Sequence, residues 1–176
     1  MFKFNEMNME PIVNKVAQSG IIVLNLADYK LPADDFMVFD LKDYLFKELL
    51  LREKDFRETM KNLDWSMYAN KYVSVICSSD AIVPMWAYML IGSYLQEHAS
   101  YFAFKPLLEL KQDQLEHAIK SIPVEDYTDA RIIIKGCGDT EMSPNAFLAI
   151  TALLKPVVKS LMYGEPCSSV PIYKKK

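Results

Sequence analysis

Apolar residues recur every three or four positions in two stretches, Phe56, Met60, Leu63 and Leu115, Ile119, Ile122, with charged residues filling the places between. That spacing lays one apolar face along each of two surface helices. Two other stretches, Pro84–Gln96 and Pro144–Leu154, carry no charge on any side. Such a pattern predicts helices covered on most sides. Ser143-Pro144 is a start signal for the second of them, with Ser capping free amides and Pro pre-set for the first turn. Pro156 ends that helix near Leu154. Short β-branched runs read as strands: Ile21–Leu26, Met37–Leu41, the residues leading to Cys77 and to Cys137, Tyr101–Phe104 and Leu161–Tyr163. Pro11–Ser19 reads as a helix that, with the strand after it, extends or caps one sheet edge. From Met37 onward strands and helices alternate. That order predicts an α/β fold with a mostly parallel sheet and flanking helices, because helical crossovers return the chain in one direction.

The pattern also repeats. YVSVICSSDAIVPMWAYMLIGSYL can be laid over RIIIKGCGDTEMSPNAFLAITALL, with Cys77 on Cys137 and Pro84 on Pro144 at a separation of 60 residues. Upstream, Phe56 falls on Leu115 and Tyr68 on Tyr127 at 59 residues, so one residue is absorbed within the strand by a bulge or a longer strand. Each copy reads helix, strand, Cys, loop, helix, strand. The expectation is an internal duplication at about 45–104 and 104–163 within a single domain spanning 1–176, since a unit of about 60 residues has only a marginal core by itself.

Composition narrows the classes. The 176 residues are 51% apolar and 24% charged, which excludes a disordered tail, a collagen-like repeat and a low-complexity linker. Twenty basic against 23 acidic residues leave a net charge of −3, unsuited to general binding of nucleic acid or an anionic membrane. The longest uncharged run, Ala81–Gln96, is interrupted by Pro84 and is short for a membrane span. MFKFNEMNME has polar and acidic residues where a secretory leader has its apolar centre. Three widely spaced cysteines form no disulfide framework, so the setting expected is a reducing cytoplasm. The Lys174–Lys176 tail reads as a frayed, solvated end.

Candidate chemistry gathers at the thiols. In a parallel sheet Cys77 and Cys137 fall at the carboxyl ends of their strands, where ligand sites form in open α/β folds. Cys167 follows the last strand through Gly164-Glu165-Pro166, and Gly136 and Gly138 flank Cys137. If the three thiols converge, they suit iron or zinc, with Asp80, Asp139 or Glu165 as neighbour or fourth ligand. The plainer reading is that free cysteines behave as small buried hydrophobes. Gly136-Cys137-Gly138 lacks the third glycine of a dinucleotide fingerprint, so no nucleotide cofactor is expected. His98 and His117 lie in helical segments away from the thiols. Asp40, Asp43, Glu53 and Asp55 alternate with Lys42, Lys47, Arg52 and Lys54, as on a solvated face. The uncharged helices could pack on each other or form the seam of a homodimer.

The segments EPIVNKVAQSGIIVLNL, LLREKDFR, ICSSDAIVPMWAYM, IIIKGC and MYGEPCSSVPIYK resemble a bacterial family, domain-of-unknown-function family 2480, from Glu10 to the C-terminal lysines. The family has no established activity to carry over. Its genes often lie near those of iron–sulfur assembly proteins, so the resemblance implies those proteins as partners and Cys77, Cys137 and Cys167 as metal or sulfur ligands. The leading expectation is a cytoplasmic accessory protein that binds iron or zinc through the three cysteines and serves iron–sulfur metabolism. Two alternatives stay open: a non-catalytic interaction or dimerisation module with buried thiols, and a thiol or persulfide-handling protein. The balance leans against an enzyme.

Overall fold

The computed structural model describes residues 20–136 and 142–176. Its architecture is mixed α/β with six strands in parallel pairs, as the alternation predicts, but the strands divide between two sheets. The strands are β1 (Ile21–Asn25), β2 (Phe36–Asp40), β3 (Tyr72–Ile76), β4 (Tyr101–Phe104), β5 (Arg131–Lys135), β6 (Ser160–Glu165) and β7 (Ser168–Lys174). The helices are α1 (Glu53–Asn62), α2 (Met85–Leu95), α3 (Leu107–Lys120) and α4 (Pro144–Leu154). One compact unit holds the sheet ordered β1-β5-β6-β7, and the other holds β2-β3-β4 with α1, α2 and α3; the division falls within α4. The helix expected at Pro11–Ser19 lies outside the described residues.

In the three-stranded unit, Met37 pairs with Val73 and Phe39 with Val75, so these side chains share a face. Phe56 and Met60 of α1, and Ala87, Ile91 and Leu95 of α2, close over that face in one buried cluster. Trp65 anchors the cluster: its indole N–H donates to the Met60 carbonyl at 2.8 Å, and its ring stacks between Phe39 and Tyr94. α3 packs on β2 and β3 from the opposite face and buries Leu110, Leu115 and Ile119. Ser74, fully buried on that side, donates its hydroxyl to the Lys105 carbonyl at 2.6 Å.

In the four-stranded unit, β5 is central and buries Ile132, Ile133 and Ile134, while β1 forms one edge as expected. β7 is the strand that sequence patterning missed. It runs antiparallel to β6, with a bulge between Leu161 and Met162, and carries Pro171, which is tolerated at a sheet edge. The lysine tail is correspondingly anchored: Lys175 donates its backbone N–H to the Lys159 carbonyl and its ammonium to Asp129, each at 2.9 Å.

Along the chain the order helix, strand, helix, strand occurs twice, as α1-β3-α2-β4 and as α3-β5-α4-β6. Tyr72 to Arg131, Met85 to Pro144 and Tyr101 to Ser160 are each 59 residues apart. The turns before β3 and β5 also correspond, with Asn70 and Asp129 both at positive φ and donating to the carbonyls of His98 and Val157. The one-residue bulge expected within this strand is absent, since β3 and β5 keep unbroken register with their neighbours. At a constant 59, Cys77 corresponds to Gly136 and Pro84 to Ser143. This spacing does not show the internal duplication expected from the sequence.

Candidate functional site

Parallel pairing brings the carboxyl ends of β2 and β3 side by side, with Asp40 opposite Ile76 and Cys77 next along the chain. Asp40 Oδ1 accepts the backbone N–H groups of Lys42 and Ser78, both at 3.0 Å. Burial alone would raise the Asp40 carboxyl. The Ser78 hydroxyl and amide, the Lys42 amide and the Lys42 charge outweigh it and hold the group below the usual aspartate range. Cys77 is half-buried, and its sulfur lies 3.5 Å from the Ser79 hydroxyl and 3.6 Å from the Ser79 carbonyl. Burial, then the nearby Cys77, push the Tyr88 phenol up.

Both histidines of this unit lie toward the other end of the strands. The His98 carbonyl accepts from Asn70, two residues before β3. His117 lines a cleft of about 380 Å³ with Tyr72 and Tyr101, the first residues of β3 and β4, and with Asp113, Glu116 and Lys120. A five-residue strand spans roughly 16 Å. Cys77 therefore has no imidazole to act as its base. Gln114, shared by this cleft and a smaller one of about 200 Å³, is buried and fully engaged: its amide oxygen accepts from Leu31 N–H and its amide nitrogen donates to the Tyr29 carbonyl, both at 3.2 Å.

The expected three-thiolate iron or zinc centre is not supported. Among the described residues no group of three or more His, Cys, Asp or Glu side chains comes together to hold a metal ion. Cys77 does sit at a strand end, but its neighbours are hydroxyl, carbonyl and aromatic groups. Cys167 is exposed in the tight turn between β6 and β7. Asp80 is exposed, and Glu165 is committed to Lys135 at 2.9 Å. Cys137 and Asp139 lie outside the described residues. The alternative of buried thiols fails equally, because Cys77 is only half-buried and Cys167 is open to solvent.

The other departure concerns α2. It is uncharged throughout, as read from the sequence, yet it is not covered on most sides. Met85 and Met89, one turn apart, are 75% and 76% exposed, and Ile82 just before the helix is 92% exposed. The opposite side is tight: a Cβ at Gly92 would stand 3.5 Å from the Phe102 ring of β4. Charge-free composition signals burial only when something covers every face, and this one stays open.

A family model described as Protein of unknown function (DUF2480) matches residues 10–175. The chain belongs to that family. No curated protein and no solved structure matches this DUF2480 chain. In the described part of this family member, no helix is long and apolar enough to cross a membrane.

Proposed function

We propose that this DUF2480 protein is a self-associating interaction module whose two copies meet through α2 and the outer edge of β4. The observation carrying this reading is the contiguous apolar exposure of Ile82, Met85 and Met89, joined by Phe104 of β4 at 65% exposed. The Tyr88 ring sits edge-on to Phe104 at 5.1 Å and links the strand to the helical stripe. Extended apolar patches of this kind on a small protein mark interaction surfaces.

A second copy is the occupant because an uncharged stripe is complementary to itself across a two-fold axis, with no like charges brought together. β4 is a sheet edge whose outer backbone groups have no strand partner among the described residues, so the same axis can join two edges. A stable dimer covers roughly 800 Å² on each partner. Ile82, Met85, Met89 and Phe104 supply the apolar centre of such a patch. An odd cysteine count, with Cys77 and Cys167 both free, fits a cytoplasmic setting for it.

Sedimentation of the full chain tests the proposal. The parent is expected to sediment as a dimer of 20.2 kDa chains, and Met85→Glu/Met89→Glu as a monomer with an unchanged circular dichroism spectrum. A parent that stays monomeric at about 100 µM overturns the reading, because an interface of standard size binds more tightly than that.

A further inference from the structure

The four-stranded unit holds a cleft of about 390 Å³ at the amino-terminal edge of β5, and its lining has a clear division of chemistry. Ile21, Arg131, Ser160 and Lys174 are successive register partners across β1, β5, β6 and β7, so they form one row on one face of the sheet. Four strands at about 4.8 Å give that row a length of roughly 14 Å. Ile21, Met162, Pro171 and Tyr173 make an apolar floor, and Arg131, Lys159 and Lys174 stand around it.

Among the described residues no carboxylate lines this cleft, in a chain that carries more acidic than basic residues. Elsewhere in the same unit, lysines have carboxylate partners: Lys135 with Glu165 and Lys175 with Asp129, each at 2.9 Å. Arg131 and Lys174 have none among the described residues. Lys159 adds only a secondary charge to Asp129, whose carboxyl is held low chiefly by its hydrogen bond from Lys175.

We propose that this cleft binds a small amphipathic anion, a medium-chain carboxylate whose head group meets Arg131 and Lys174 and whose chain lies on Ile21, Met162 and Tyr173. The size falls within the range of small-molecule sites, where apolar walls bury the body of a ligand and a few charged groups fix its head. The arginine fork matches the two oxygens of a carboxylate. An added peptide strand is the less suitable occupant, because Pro171 in the edge strand has no N–H to give it.

Titration calorimetry on the full chain tests the site with three probes: decanoate, decyltrimethylammonium and acetate. Decanoate is expected to bind one per chain and to weaken as salt is raised. The cationic and the short probes should each bind at least tenfold more weakly. Arg131→Gln should weaken decanoate about tenfold, as for a lost charge-assisted hydrogen bond, and Lys174→Gln severalfold. Both side chains are exposed, and an unchanged thermal midpoint confirms that the variants fold. Absence of decanoate binding at about 1 mM overturns the proposal. So does equal binding of decanoate and decyltrimethylammonium, or undiminished decanoate binding to the Arg131→Gln/Lys174→Gln double variant.

Discussion

Asp40 Oδ1 accepts the Ser78 backbone N–H at 3.0 Å, across 38 residues of chain. The bond fastens the loop that carries Cys77 to the end of the neighbouring strand, and the same oxygen caps the turn at Leu41–Tyr44 through Lys42. Two loop beginnings thus depend on one carboxylate.

Because the folded state holds the Asp40 carboxyl below its usual value, its ionised form contributes stability that is full above the unfolded pKa and is lost as pH falls through the folded one. Asp40→Asn keeps an acceptor and loses the charge. It should cost about 0.5–1 kcal/mol at neutral pH, a modest figure because the group is partly solvated. The gap to the parent should close as pH falls below about 4, as read from urea unfolding at several pH values.

Gln114 ties Tyr29 and Leu31 to α3 through its two amide ends. Gln114→Leu removes both hydrogen bonds to these part-buried backbone groups, at an expected cost of about 1–3 kcal/mol. Gln114→Glu retains the acceptor for Leu31 and should cost less. Hydrogen exchange at the Leu31 amide separates them, faster in the Leu variant than in the Glu variant.

Gly164 opens the β6–β7 turn at φ +119°, and a Cβ there would stand 2.6 Å from the Ser168 carbonyl oxygen. Gly164→Ala therefore meets both backbone strain and a steric overlap with main chain. A loss of about 2–4 kcal/mol is expected in chemical denaturation. Gly20, with nothing among the described residues within 4 Å of its Cβ position, provides the comparison: Gly20→Ala meets strain alone and should cost less.

The two described thiols should differ in reactivity by access. Cys167, exposed in its turn, is expected to take up maleimide before Cys77, whose sulfur is half-buried against Ser79. Peptide mapping over a time course reads the order directly. Cys167→Ser should change stability by less than about 0.5 kcal/mol, as for other exposed positions without a partner.

Local signals were legible where one element's own residues settle its structure. The spacing of Phe56 and Met60, and of Leu115 and Ile119, oriented two helices correctly, and both pairs are buried. Ser143 caps α4 as its position before Pro144 suggests, accepting the Asn145 N–H at 3.1 Å. β7 escaped because Pro171 interrupts its pattern and a bulge breaks its alternation, so neither strand period nor composition marked it. The surroundings of the cysteines were the least legible in the sequence. Being at a strand end says which edge of a sheet a thiol occupies, but not whether two more donors share that place.

The sequence by itself determined the helices, most of the strands, their parallel sense and the charge-free character of α2, because these follow from periodicity and from the reach of short connections. Tertiary structure alone decided which strands pair, dividing them between two sheets. It alone left Met85 and Met89 open to solvent, and set Arg131 and Lys174 on one row without acidic partners among the described residues. Pairing and exposure depend on residues distant in the chain. Arg131 and Lys174, 43 positions apart, come to stand on either side of Ser160 only through the register that hydrogen bonding imposes on β5, β6 and β7.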